Sequence, residues 1–448
     1  MSRAMKHSGF PWIGEIPSDW EVIPIKRVKD TTHPYPIGDG DHGSIKPDDY
    51  CDEGIPYIRV QNMTWGGSII MDNIAYISEE VNEQNKKSEL HPNDILVAKT
   101  GTIGKTCIIP DDMPKANTTS SVGKITVGKK YSSKFIFYLL SSEVCIRQMW
   151  LKAGQKSAQP GFNIDELVDF RISVPKDIST QQHIADFLDR KCGEIDEITA
   201  LQEQMIEELK AYKQSVITEA VTKGLNPDVP MKDSGIDWIG EIPEGWIICR
   251  IKNVAALFGR IGFRGYTSDD LNKDGEGAIT LSPSNMMPMC MDYSKVTYLS
   301  WKKYEESPEI MIQDGDLLMV KTGSSYGKVS YVDKLPKEAT INPQILRIVP
   351  SVNSKYLGYY MQTDLFIYQV EGGVVGGTIP TISQEKINNF YVILPSDEDQ
   401  QSITSYLDTK CAEIDALIAI KQAKIEELKD YKKSVIYEYV TGKKEVNG

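Results

Sequence analysis

Two stretches of the chain, 180–223 and 399–442, repeat apolar residues at heptad spacing and contain no proline. In the first the stripe runs Leu188, Ile195, Ile198, Met205, Leu209, Tyr212 and Val216; in the second it runs Leu407, Ile414, Leu417, Leu428, Tyr431 and Val435. This period predicts long helices that pack as a coiled coil. About 42 residues at a rise of ~1.5 Å make a rod of roughly 60 Å. Thr180 is the expected N-cap and Gly224 the expected C-cap of the first. So narrow a stripe cannot hold a lone helix, and the simplest partner for each is the other. Gln202, Lys421 and Lys424 interrupt the apolar stripes, and polar residues in a seam restrict register and oligomeric state.

Outside these stretches the period changes. Short strand-like runs (IPYIRV, DILVAKT, KTCIIP and GKITV; later DLLMVKT, GKVSYV and QILRIV) alternate with helix-like ones (SSKFIFYLLSSEVCIRQMW; SKYLGYYMQTDLFIYQV). The expected fold class is mixed α/β, in five segments: a domain over 1–179, a helix over 180–223, a linker and second domain over 224–398, a helix over 399–442 and a tail over 443–448. The linker GLNPDVP ends the first helix through its glycine and prolines.

The chain says much of this twice. Residues 5–20 (MKHSGFPWIGEIPSDW) and 231–246 (MKDSGIDWIGEIPEGW) agree at 11 of 16 positions, and 181–222 and 400–441 agree at 24 of 42. DILVAKTG (94–101) pairs with DLLMVKTG (316–323). A period this long is that of whole domains in tandem, not of a solenoid. Between the shared blocks the halves are hard to align, so two different surfaces stand on two similar frames.

Composition adds limits. With 448 residues, 40% of them hydrophobic and 25% charged, the chain is of ordinary globular make-up. No apolar run approaches membrane length, so a cytoplasmic protein with no membrane contact is expected. The 7 cysteines form no CxxC pair, and Cys192 and Cys411, at equivalent helical positions, read as small buried apolar residues. A net charge of −13 argues against bulk affinity for polyanions. The charge is uneven: residues 1–179 carry 21 basic and 23 acidic groups, against 16 and 22 in 225–398.

Two chemical motifs fail on inspection. TGTIGKT (100–106) lacks the glycine that a phosphate loop requires five positions before the glycine of its GK pair, where Lys99 stands, and GRIGFRG (259–265) has no βαβ context. No HExxH, GxSxG or NPPY-type methyltransferase motif occurs, so no catalytic residue, metal or cofactor is expected. What remains is recognition chemistry. Bases are read by Arg, Asn and Gln, and phosphates are held by Lys, Thr and backbone N–H groups. Arg59, Gln61 and Asn62 end a strand and offer three readers; in the second half only Asn285 matches. Lys99 and Thr100, with Lys105, and Lys321 and Thr322, with Lys328, form glycine turns that would present a lysine to the DNA backbone. Shared positions are as well explained by the frame, which would leave specificity to the unshared ones.

WIGEIP followed by Trp, the GLNP linker, the DILVAKTG turn, the QQxIAxFLD-type helix start and the duplicated IEELKxYKxSVI segment together resemble the specificity (S) subunit of type I restriction-modification systems. The likeness covers nearly the whole chain. It implies two tandem pseudo-repeated target recognition domains, separated by helices that form an antiparallel coiled coil. It further implies a non-catalytic subunit that reads a bipartite, asymmetric target on double-stranded DNA. The partners it implies are two methyltransferase (M) subunits acting on adenine N6, and restriction/translocase (R) subunits. A subunit of a stand-alone methyltransferase, a protein-binding coiled-coil scaffold and a phosphate-loop enzyme are the alternatives.

Overall fold

The computed structural model describes residues 3–40, 43–154, 160–272, 275–374 and 380–446. The chain divides into two compact units, one built from 1–203 with 422–448, the other from 204–421. Each unit holds one mixed α/β domain and a portion of both long helices.

In the first unit a four-stranded antiparallel sheet has the order Thr106–Ile108, Ile95–Ala98, Val122–Ile125, Ile37–Asp39. The second unit repeats it as Val329–Tyr331, Leu317–Val320, Ile345–Pro350, Ala255–Gly259. The central strand is apolar throughout because both its faces are covered. Ile95 and Val97 point into the core built with the helices, while Leu96 and Ala98 point into a second core. Leu317 and Met319, against Leu318 and Val320, divide in the same way. Alternation along one strand thus serves two layers. A second sheet covers the far layer; in both units it contains one parallel pair, Asn117↔Tyr57 and Ile279↔Ala339. Each helix-like run is broken in two, Ser133–Ser141 with Glu143–Ala153 and Ser354–Tyr360 with Asp364–Gly373.

The long helices span Ile178–Lys223 and Asp397–Val440. The first begins before the expected Thr180. Asp177 takes the capping role instead, its carboxylate accepting from the Thr180 N–H at 3.0 Å and the Ser179 hydroxyl at 2.8 Å. The paired glutamines of the helix start have a structural reason. Gln181 accepts from the Ser132 N–H and donates to the Pro175 carbonyl; Gln400 does the same with Asn353 and Pro395. At the far ends Gly224 and Gly442 both have positive φ, and a Cβ on either would press on a tryptophan, Trp246 or Trp20. The duplicated WIGEIP block therefore packs on a helix end in each unit.

The two helices run antiparallel within each unit. In the first, Phe187 stacks on Tyr439 and Asp196 pairs with Lys432 at 2.7 Å. In the second, Lys213 pairs with Asp415 at 2.7 Å and Lys421 meets the Met205 sulfur. The covered seam steps regularly by three and four through Leu188, Cys192, Ile195, Thr199 and Gln202 in the first unit, and through Ile206, Leu209, Lys213, Val216 and Ala220 in the second. The expected stripe is corrected here. Ile198, Met205, Tyr212, Leu417 and Tyr431 lie beside the seam and are exposed, as is Lys424. Cysteine, threonine and lysine occupy true seam positions, so choosing the apolar residues shifts the register.

Candidate nucleic-acid interface

Both domains end their Ile55–Ile58 or Ala278–Leu281 strand in one turn of 3-10 helix, Val60–Asn62 or Pro283–Asn285. The turn is held from inside by its asparagine. Asn62 is 2% exposed; its side-chain oxygen accepts from the Arg59 N–H and its Nδ2 donates to the Ile70 carbonyl. Asn285 is 4% exposed and makes the same bond to the Ser282 N–H, donating to Asp292 and Lys295 carbonyls. Both amides are spent on backbone, and an exposed reading role for them has no support in this placement. Gln61, by contrast, is exposed.

Arg59 is partly buried. Its guanidinium donates to the Asn73 carbonyl at 3.3 Å and lies 5.7 Å from the Tyr50 ring. Its Nε has no hydrogen-bond partner, and among the described residues no carboxylate pairs with it. It lines a cavity of about 350 Å³ together with Gln61, Thr119, Ser120 and Ser121. An orphaned guanidinium N–H in a polar cleft can donate to an acceptor brought from outside. Ser282 stands in the place of Arg59, with its hydroxyl 3.0 Å from the Asn285 side-chain oxygen.

The loop 119–121 was not singled out from the sequence. It is an internal turn in which the Thr119 hydroxyl accepts from the Ser121 N–H at 3.0 Å. The second unit builds the same turn from other residues, Asn342 accepting from the Gln344 N–H at 3.0 Å. Each loop also holds the lysine turn, through Lys99 N–H to the Ser121 carbonyl at 2.9 Å and Lys321 N–H to the Gln344 carbonyl at 2.8 Å. The alignable pair ANTTSSVGKI and ATINPQILRI was the available signal.

The lysine turns connect two antiparallel strands, Ile95–Ala98 with Thr106–Ile108 and Leu317–Val320 with Val329–Tyr331, so neither is the strand-to-helix loop that cradles nucleotide phosphates. Thr100 and Thr322 are partly buried and bridge to Gly161 and Thr381. Lys99 is not presented. It is 5% exposed and ion-paired with Asp39, which lies across the sheet and 60 residues away in sequence. Lys105 donates to the Met63 carbonyl at 2.9 Å. Lys328 is partly buried. Lys321 is half-buried, and burial pulls its pKa below the usual lysine value.

Elsewhere the chemistry is quiet. Among the described residues no group of three His, Cys, Asp or Glu could hold a metal, and no helix is long and apolar enough to cross a membrane. Cys192 and Cys411 are buried, and burial raises both thiols, Cys192 to about 11.

Two equal frames that carry unequal side chains at the same turns define a paired recognition protein. The type I restriction modification DNA specificity domain family matches residues 17–211 and 243–430, and the chain belongs to that family. The chain is 22% identical to the type I restriction enzyme MjaVIII specificity subunit of Methanocaldococcus jannaschii, over 96% of this chain and 93% of that one. It is 27% identical to the Escherichia coli EcoBI specificity subunit, over 46% of this chain and 42% of the other. Its fold is shared with a chain from a structure of type I R-M system assembly (TM-score 0.70, 15% identity, 95% and 98% covered). The HsdS subunit from Thermoanaerobacter tengcongensis follows at TM-score 0.50 and 16% identity, with 95% and 98% covered. The protein is thus a DNA sequence-recognition subunit, and its relatives bear the name of specificity subunits.

Proposed function

We propose that the two domains read the two parts of a bipartite, asymmetric DNA target. One observation carries this. The same turns on the same frame carry Arg59, Gln61, Thr119 and Ser121 in one unit and Ser282, Ser284, Asn342 and Gln344 in the other; Gln61, Ser284 and Gln344 are exposed and the rest are partly buried. Equal frames give equal approach to the duplex, and unequal side chains give unequal half-sites. Half-sites read from one face of DNA lie about one helical turn, roughly 34 Å, apart.

The chain recognises DNA in a complex with two adenine-N6 methyltransferase subunits, joined by restriction/translocase subunits. The outer helix faces are their docking surface. Leu417 and Ile420 expose apolar area there that the seam does not use. The cell compartment is the cytoplasm. The base-reading set comprises Arg59 and Gln61 with the loop 119–121, opposite Ser284, Asn342 and Gln344; Lys105, Thr100, Lys328 and Thr322 flank it. Selection of bound duplexes from a random pool by the complex tests this. Two short unlike blocks separated by a fixed unread spacer are expected; a single contiguous block would overturn the proposal.

A further inference from the structure

The two lysine turns agree in sequence and backbone, yet their charges are balanced differently. Strand register makes the comparison residue by residue. In the first unit Val122 faces Ala98 and Gly123 faces Asp39; in the second Ile345 faces Val320 and Leu346 faces Gly259. Asp39 and Gly259 are therefore the same site on the frame. Asp39 places a carboxylate on the Lys99 ammonium. Gly259 has no side chain to offer, and a Cβ built on it would stand 3.2 Å from the Lys321 Nζ. Among the described residues no hydrogen-bond acceptor or carboxylate engages that ammonium. The first unit thus demonstrates that the position takes an oxyanion, and the second leaves the oxyanion out. Donors gather at the same turn. The Thr322 hydroxyl lies 3.5 Å from that of Thr381, and the exposed Gln344 turns its Nε2 to within 3.5 Å of a Cβ on Gly323.

We infer that Lys321, above the gap at Gly259, receives a phosphate of the DNA backbone at the second half-site, a contact that Asp39 denies to the first. The inference rests on the DNA-recognition reading and deepens it. A half-buried ammonium without a counter-ion is costly to keep charged, which is why burial lowers its pKa. An incoming phosphate removes that cost and contributes no base preference. The first domain, with Lys99 neutralised, anchors through other groups, so the two half-sites differ in how binding responds to salt.

The test is the salt dependence of DNA binding by the complex of this chain with its methyltransferase subunits. Lys321→Gln and Gly259→Asp, which installs the missing carboxylate, should each flatten the plot of log affinity against log salt by about 0.9. The loss should be equal on target and non-target DNA, and the double variant should lose no more than either single one. Gly259→Ala, which adds bulk without charge, should keep the wild-type slope. If Lys321→Gln fails to fold, Gly259→Asp decides, because the only close contacts a Cβ would make there are with flexible side-chain ends. Wild-type slopes in both charge variants, or a loss confined to one DNA sequence, would overturn the inference. Stabilisation of the protein by inorganic phosphate that depends on Lys321, with DNA slopes unchanged, would assign the site to free phosphate and equally overturn it. Absence of any sequence-specific binding by the wild-type complex would instead defeat the DNA-recognition reading itself.

Discussion

Placed side by side, the two domains agree at the asparagines that close their turns and at the contacts between and onto the long helices, and differ at the turns of the candidate interface. Asn62 and Asn285 bind their own turns identically. Tyr138 on Asp189 is repeated as Tyr359 on Asp408, and the pair Lys432–Asp196 as Lys213–Asp415. Elsewhere the equivalent positions differ: Ser282 stands in the place of Arg59, and Gly259 in the place of Asp39. Buried polar groups left unpaired are expensive, so frame positions are hard to exchange. At the recognition turns an unpaired donor such as the Arg59 Nε is kept despite that cost, and the side chains differ between the units.

The largest effects should come from the tryptophans on which the helix ends rest. Trp20→Ala and Trp246→Ala should each cost about 3–5 kcal/mol in urea unfolding. A large loss for one and none for the other would break the equivalence of the units. Asn62→Ala and Asn285→Ala should cost about 1–3 kcal/mol each in stability and leave the DNA motif unchanged. Arg59→Ala sharpens the contrast. It should relax one base position of the first half-site by about 1–3 kcal/mol of discrimination, read from binding to point-substituted duplexes. Asp196→Ala and Asp415→Ala remove exposed partners of seam lysines and should each cost about 0.2–1 kcal/mol, less at high salt.

The smallest effect is a pH difference confined to the first unit. Burial, then Lys124 and His91, hold the His33 pKa below its usual value of 6.5. The unfolded chain binds the proton more readily, so the stability His33 allows is complete above pH 6.5 and declines as pH falls through the lowered value. Urea midpoints at neutral and acid pH should converge in His33→Gln relative to the wild type.

Much of the architecture was legible because duplication and period survive in the sequence. The register of the seam was not, because Thr199 and Lys213 occupy seam positions that a search for apolar residues passes over. The site was legible only as a neighbourhood. The turns carrying Arg59 and Lys99 were identifiable, but nothing local to Lys99 reveals the carboxylate that neutralises it, since Asp39 arrives through strand pairing. Asn62 looked like a reader because asparagine does; its burial follows from the turn it closes. The loop 119–121 was missed because threonine and serine there resemble any polar connection.

Two unlike domains that read DNA as a spaced pair leave a split methylation pattern. A genome-wide map of N6-methyladenine, in a host lacking adenine methylation and supplied with this chain and its methyltransferase subunits, tests it most directly. One split, asymmetric motif with a modified adenine in each part is expected. A contiguous motif, or no new methylation from an assembled complex, would contradict it.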